Sequence, residues 1–468
     1  MEKETLITTS AQTAPTLIYG VTTKREKIAY SLGDVGCNFI WSFASAFLTL
    51  YYTDSVGLSA AFLGTMMLIA RILDGASDIA MGAVIEKTRT RWGKARPWIL
   101  IACVPFALSL VLIMNVPGSL SEQGKNAYAF LSYIFMAVIC YTIVNLAYHA
   151  MLPRISLNQQ DRSVISGLRT FLTLMLVLLL NIVTPLLLES FGGQKSQRAW
   201  TIVSSAYALI ALGLLLITFF GTKEKVELRS EVKAEKIPLI VSLKAVATNK
   251  YFYLVLALFV VNYISAGLTG VGLYYARDVL GDVNFFGLIS LAGVSPMLIG
   301  IPLIPFLFKK FGKRNSIRFG FALCILGGLL TLTNPTNAGV YLASSVIKGF
   351  GGIPFIVAMF TLSADITDYG EWKSGIRAEG FAYSCTTFGI KLGTGVGSAM
   401  LGWILAWGRY DADAAVQSEP AINAMILLAV VIPLVISAIQ LILIQFWDLD
   451  KHLPDIQKDL QERKLQKG

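Results

Sequence analysis

Runs of about 20 apolar residues recur from one end of the chain to the other, each long enough to cross a ~30 Å hydrocarbon core as a helix. Twelve are read, at roughly 29–53, 58–85, 97–117, 126–151, 163–189, 200–220, 250–276, 284–308, 316–334, 338–363, 379–407 and 420–447. The 468 residues are 55% hydrophobic and only 15% charged, against about 25% charged in a soluble domain. The chain is therefore expected to be an all-α membrane protein with twelve transmembrane helices.

The first 25 residues are polar and Thr-rich, without the apolar core of a cleaved signal, so the first helix is expected to direct insertion. Cys37, Cys103, Cys140, Cys324 and Cys385 are scattered with no C-x-x-C pair, which fits reduced structural thiols and argues against a metal site. The net charge of +10 does not mark a nucleic-acid binder, because the basic residues concentrate in particular loops. Lys87, Arg89, Arg91, Lys94 and Arg96 lie between spans 2 and 3, and Lys309, Lys310, Lys313, Arg314 and Arg318 between spans 8 and 9. The loops "YYTDSVGLS" and "TNPTNAGV" hold no Lys or Arg. The positive-inside rule then places the basic loops and both termini in the cytoplasm of a multi-pass protein of the inner membrane.

The two basic loops share a pattern, "RWGK" and "KFGK", each after the second helix of a six-helix set. This internal repeat implies two pseudo-symmetric halves. The expected organisation is an N-terminal tail at 1–28, a six-helix bundle at 29–220, a polar cytoplasmic linker at 221–249, a second bundle at 250–447 and a C-terminal tail at 448–468. In that tail Leu453, Ile456 and Leu460 have helical spacing and read as a surface helix. Two six-helix halves joined by a cytoplasmic loop are the layout of the major facilitator fold, in which substrates bind near the midplane between the halves.

A charge at mid-bilayer costs about 2.5 to 3.5 kcal/mol on insertion scales, so such residues usually face a cavity. Arg71, Asp74 and Asp78 fall at i, i+3 and i+7 on one face of helix 2. Two neighbouring carboxylates need something positive between them: Arg71, a proton, or a monovalent cation held by oxygens. Ser77 adds a hydroxyl. A structural salt bridge between Arg71 and Asp74 is the plainer alternative, but it leaves one carboxylate unbalanced.

Helix 4 places Thr142, Asn145 and His149 on one face; the imidazole is either packed or functional. Arg169 on helix 5 either snorkels or faces the cavity, and Lys391 on helix 11 is near the midplane, too deep to snorkel easily, with Asp74 and Asp78 as candidate partners. Lys348 on helix 10 is also deep, with outward snorkelling as the competing reading. On helix 1, Asn38 and Trp41 sit one turn apart, an amide beside an aromatic plate that suits a sugar ring.

The segments "YSLGDVGCN", "RILDGASDIAMG", "TRTRWGKARPWIL", "CYTIVNLAY", "ADITDYGEWKSGIRAEGFAYS" and "KLGTGVGSA" resemble, in order and through both halves, the glycoside/pentoside/hexuronide cation symporter family, of which the melibiose carrier is the best-known member. The resemblance implies coupled transport of a sugar or sugar derivative with Na⁺, Li⁺ or H⁺. It assigns the cation site to Asp74 and Asp78 with Thr142, and the family's helix-5 arginine and helix-11 lysine match Arg169 and Lys391. In four places the chain departs from the galactoside pattern: aspartates are replaced by Asn38 and Asn145, an aromatic by His149, and an asparagine by Ser77.

With two negative charges gone and Arg169, Lys391 and Lys348 present, the expected substrate is anionic, a hexuronide or a sulfonated sugar or polyol. A neutral pentoside or glycoside is the alternative, since Asn38 and Asn145 pair equally well with hydroxyls. The substrate-binding candidates are thus Asn38, Trp41, Arg71, Asn145, His149, Arg169, Lys391 and Lys348. The loop residues Asp365, Asp368, Glu371, Arg377 and Glu379 are expected to form a cytoplasmic gate against the basic loop "RTRWGKARP".

No catalytic constellation or phosphate loop supports an enzyme, and no cofactor is expected beyond the coupling ion. An exporter or a non-transporting sensor on the same fold stays open. The expected partners are a sugar-type small molecule, a monovalent cation or proton and the lipid bilayer, with a monomeric chain and no nucleic acid.

Overall fold

The computed structural model of the protein describes residues 22–156, 158–225, 248–375 and 379–465. Arg377, the side chain of Glu379 and most of the expected linker lie outside the described residues.

The described residues form helices joined by turns and short connections. Twelve long stretches follow one another: α1 (Lys24–Leu50), α2 (Ala60–Lys87), α3 (Arg96–Ile113), α4 (Glu122–Ile155), α5 (Gln159–Ser190), α6 (Gln197–Gly221), α7 (Lys250–Gly267), α8 (Phe285–Phe311), α9 (Lys313–Thr333), α10 (Ala338–Ser374), α11 (Glu379–Trp407) and α12 (419–443). Ten of them are long and apolar enough to cross a membrane, while α1 and α2, of 27 and 28 residues, hold the buried carboxylates Asp34 and Asp74. Apolar side chains point away from the protein around the bundle: Ile79, Leu209 and Phe446 are each more than two-thirds exposed. This suits a surface whose solvent is lipid.

Polar side chains set the helix starts by taking up free backbone N–H groups. Thr23 and Glu26 form a capping box on α1, and Ser121, Asn158, Ser196, Asn249 and Asn337 cap α4, α5, α6, α7 and α10. The capping box starts α1 at Lys24, ahead of the first apolar residues. α3 is started from outside its own sequence: the Glu224 carboxylate accepts the N–H groups of Lys94, Ala95 and Arg96 at 2.8–2.9 Å. A carboxylate at a helix N-terminus is favoured by the helix dipole as well.

α1 packs on α5 and α6, and α3 on α4 and α6; in the second set α7 packs on α11 and α12, α9 on α10 and α12, and α8 on α10. The two sets meet where α2 lies on α11 and α5 on α8. Small residues make the α2–α11 contact possible. A Cβ on Gly402 would lie 2.2 Å from the Ala60 carbonyl oxygen, and one on Gly64 2.6 Å from that of Ala399. On another side of α11, Cβ atoms on Gly393 and Gly397 would meet the Val260 and Ile264 carbonyl oxygens of α7 at 2.4 and 2.2 Å. Glycines at such spacing let helix backbones touch in lipid. α11 is thereby wedged between α2 and α7, which presents Lys391 to the acidic face of α2.

The expected C-terminal surface helix is present as α13 (Leu453–Leu465), with Ile456 and Leu460 buried. It docks on the end of α10, where Trp372 Nε1 donates to Asp459 at 3.1 Å and Arg463 donates to the Trp372 carbonyl at 3.0 Å.

Candidate functional site

The centre of the site is the Asp74 carboxylate, 3% exposed. Its Oδ1 accepts the Thr142 hydroxyl of α4 at 2.9 Å, and its Oδ2 lies 3.0 Å from Lys391 Nζ and 3.5 Å from Arg71. The Lys391 ammonium also donates to Asp78 Oδ2 and, at 3.2 Å, to the Asp74 carbonyl. It thus bridges the two carboxylates one helical turn apart, as the charge pattern predicts. Ser77 Oγ donates to the Asp74 carbonyl at 2.9 Å and lies 3.1 Å from Thr142 Oγ1, so three oxygen-bearing side chains from α2 and α4 converge on one spot. Hard oxygen donors of this kind suit a proton or a small alkali cation.

Arg71 joins this cluster to an aromatic wall. Its guanidinium carbon lies 4.2 Å from the centre of the Trp41 ring, and Tyr141 stacks on the same indole at 4.3 Å. Trp41 is therefore not the free plate that the sequence alone allows; Arg71 and Tyr141 already stack on it. Asn145 donates to the Tyr141 hydroxyl at 3.2 Å, and Asn38 donates to the Asp34 carbonyl at 2.9 Å. The Nε of Arg71 is buried and has no hydrogen-bond partner among the described residues.

A second cluster lies between α1, α4 and α5. Arg169 Nε sits 3.6 Å from Asp34 Oδ2, which also accepts the Thr173 hydroxyl at 2.9 Å. A terminal nitrogen of Arg169 lies 3.2 Å from His149 Nδ1. A guanidinium can only donate, so Nδ1 accepts and the imidazole is neutral with its hydrogen on Nε2. Arg169 does not snorkel; it is paired.

Asp34 changes the charge count made on the sequence. Arg71 and Lys391 balance Asp74 and Asp78, and Arg169 balances Asp34. Of the cations expected to wait for a substrate anion, Arg169 and Lys391 already have a carboxylate.

Two further expectations are revised. Asp365 pairs with Lys313, from the start of α9 in its own half, rather than with the basic loop at 87–96. That loop is held instead by Glu224, with Arg96 donating to the Phe219 carbonyl at 2.6 Å. The reason is proximity along the fold: α10 packs on α9 within the second set. Asp368 accepts from Gln457 of α13 at 3.2 Å, and Glu371 lies on the last turns of α10. Lys348 does not join the Asp74 cluster; it lines a cavity inside the second set of helices.

The face of the bundle opposite the described chain ends carries residues that the sequence reading overlooked. There the Asp54 carboxylate takes a short salt bridge from Arg277 and the Tyr410 hydroxyl at 2.8 Å, while Arg277 donates to Tyr410 at 2.7 Å. Thr53 and Tyr274 meet at 2.9 Å beside it. Asp54 belongs to the first half and Arg277 and Tyr410 to the second, so the network ties the halves together at that face.

The sequence profile described as "MFS/sugar transport protein" matches residues 29–451. The chain belongs to this family of sugar transporters. It is an integral membrane transporter of the major facilitator type and not an enzyme. Among its relatives, the isoprimeverose transporter of Lactiplantibacillus pentosus is 34% identical, with 95% of this chain and 92% of the relative aligned. The glucuronide carrier protein homolog of Escherichia coli (strain K12) is 30% identical over 94% of this chain and 96% of its own length. Among solved structures, a bacterial homolog of the human lysosomal transporter Spinster, inward-facing and unoccupied, superposes with a TM-score of 0.67 at 13% identity, covering 91% of this transporter and 98% of that chain. That likeness is one of fold.

Proposed function

We infer that the protein is a cation-coupled glycoside symporter of the inner membrane, with twelve crossings in two six-helix halves (29–220 and 250–447), both termini cytoplasmic, and a neutral glycoside or pentoside as substrate. The observation that carries this reading is the pairing of every candidate cation near the site: Arg71 and Lys391 with Asp74 and Asp78, and Arg169 with Asp34. A substrate carboxylate or sulfonate would have to break one of these pairs, whereas sugar hydroxyls can join them as added donors and acceptors. The relative named isoprimeverose transporter supports the same choice.

The coupling ion, Na⁺ or H⁺, binds at Asp74 and Asp78 with Thr142 and Ser77. Lys391 neutralises the two carboxylates between cycles, and the incoming cation takes over that charge. Sugar binds against Asn38, Asn145, His149 and the Arg71–Trp41 wall, where the spare Nε–H of Arg71 finds an acceptor. Ion and sugar thus meet through Arg71, which lies against both Asp74 and Trp41, and this contact gives the coupling. The halves then rock about the α2–α11 contact, with the Asp54–Arg277–Tyr410 network closing the outer side in one state.

The test is counterflow in proteoliposomes with neutral glycosides, pentosides, hexuronides and sulfonated polyols, each with Na⁺ or with a proton gradient. Exchange of neutral glycosides supports the reading. Exchange restricted to hexuronides or sulfonates overturns the substrate class, and no exchange of any of them overturns transport.

A further inference from the structure

A cavity of about 180 Å³ lies wholly within the second half, between α7, α9, α10 and α12. Its polar lining is Asn262, Ser265, Cys324, Lys348, Ser437 and Gln440, and Lys348 is the only charged residue among the lining residues. The ammonium of Lys348 lies 5.0 Å from the centre of the Tyr341 ring and forms no ion pair or hydrogen bond with a described residue. A lysine ten residues into a membrane helix, with no carboxylate beside it, is costly unless an anion compensates it.

The surroundings are shaped for that lysine. A Cβ on Gly327 of α9 would come 2.8 Å from Lys348 Cγ, so the glycine makes room for the stem. Two side-chain amides with hydrogens to offer line the same cavity. Gln440 donates to the Asn262 carbonyl oxygen at 3.2 Å, which leaves the Asn262 amide hydrogens and the second amide hydrogen of Gln440 for another partner. Ser437 spends its hydrogen on the Pro433 carbonyl at 2.9 Å. Acidic residues are absent from the lining residues.

We propose that this cavity is a binding site for a compact monovalent anion, a halide or a small carboxylate, held by Lys348 with the amides of Asn262 and Gln440, and separate from the sugar and cation sites. Bound there, the anion neutralises the lysine and braces α10 against α7 and α12. The site does not depend on which sugar the protein carries.

The experiment is thermal unfolding of the full-length protein in detergent at constant Na⁺ concentration, with chloride, bromide, acetate or the bulky gluconate as counter-ion, for wild type, Lys348→Met and Asn262→Leu. Expected is a Tm for wild type that is higher in the small anions than in gluconate and saturates with their concentration, a difference abolished in Lys348→Met and reduced in Asn262→Leu. Halide against acetate tells which small anion is preferred. Equal Tm in all four salts, or an anion effect that survives undiminished in Lys348→Met, would overturn the proposal. Displacement of bromide by a transported sugar would overturn the separateness of the site.

Discussion

Arg169 Nε lies 3.6 Å from Asp34 Oδ2, and this pair between α1 and α5 neutralises a guanidinium that could otherwise greet an anionic substrate from the first half. Asp34→Asn should free it. The variant is expected to lose neutral-glycoside exchange about tenfold, through the misplaced Arg169 and Asn38, and to gain measurable hexuronide exchange; an unchanged ratio of the two in counterflow would show that the pair does not set substrate charge.

Thr142 donates a hydrogen bond at 2.9 Å to the buried Asp74 carboxylate. Hydrogen bonds to charged groups are worth about 1.5–3 kcal/mol, and ~1.4 kcal/mol is a factor of ten in affinity. Thr142→Val, which keeps the shape and removes the oxygen, should weaken the activating ion at least about tenfold in an ion titration of uptake, with a smaller effect from Thr142→Ser.

The α2–α11 contact has no room for a side chain at Gly402, whose Cβ would stand 2.2 Å from the Ala60 carbonyl oxygen. Overpacking of an interior typically costs about 1–3 kcal/mol. Gly402→Leu should lower the Tm in detergent and impair transport together, whereas Gly118→Leu, at a position with open space, should leave the Tm within error.

The Asp54–Arg277–Tyr410 network closes one face of the bundle. Arg277→Ala leaves Asp54 buried and unpaired, so that face should spend more time open. A cysteine placed at Asn38 should then react faster with a membrane-impermeant thiol reagent added from outside, and the double variant Asp54→Asn with Arg277→Ala should react no slower. Unchanged labelling in both would remove the network as a gate.

The cluster around Asp74 is legible in the sequence because it obeys helix geometry: Arg71, Asp74 and Asp78 share a face by spacing alone, and Lys391 is too deep to lack a carboxylate. The family's threonine matched at Thr142 reaches the same carboxylate. Asp34 was not readable. It sits ten residues into α1 beside ordinary small residues, and only the packing of α5 on α1 brings Arg169 and Thr173 to it. Asp54 and Arg277 look like loop-end polar residues, and their meeting depends on how the two halves lean together. Asp365 misled for a related reason: its charge invites a partner in the facing half, but Lys313 of the neighbouring helix is nearer along the fold.

The most direct measurement is ion-driven accumulation of a neutral glycoside in proteoliposomes, wild type against Asp74→Asn, each with an inward Na⁺ gradient, a proton gradient or neither. Expected is accumulation above equilibrium in wild type with one of the two gradients, and in Asp74→Asn only downhill equilibration that no gradient improves. Gradient-driven accumulation that persists in Asp74→Asn would contradict the assignment of the coupling site to Asp74 and Asp78.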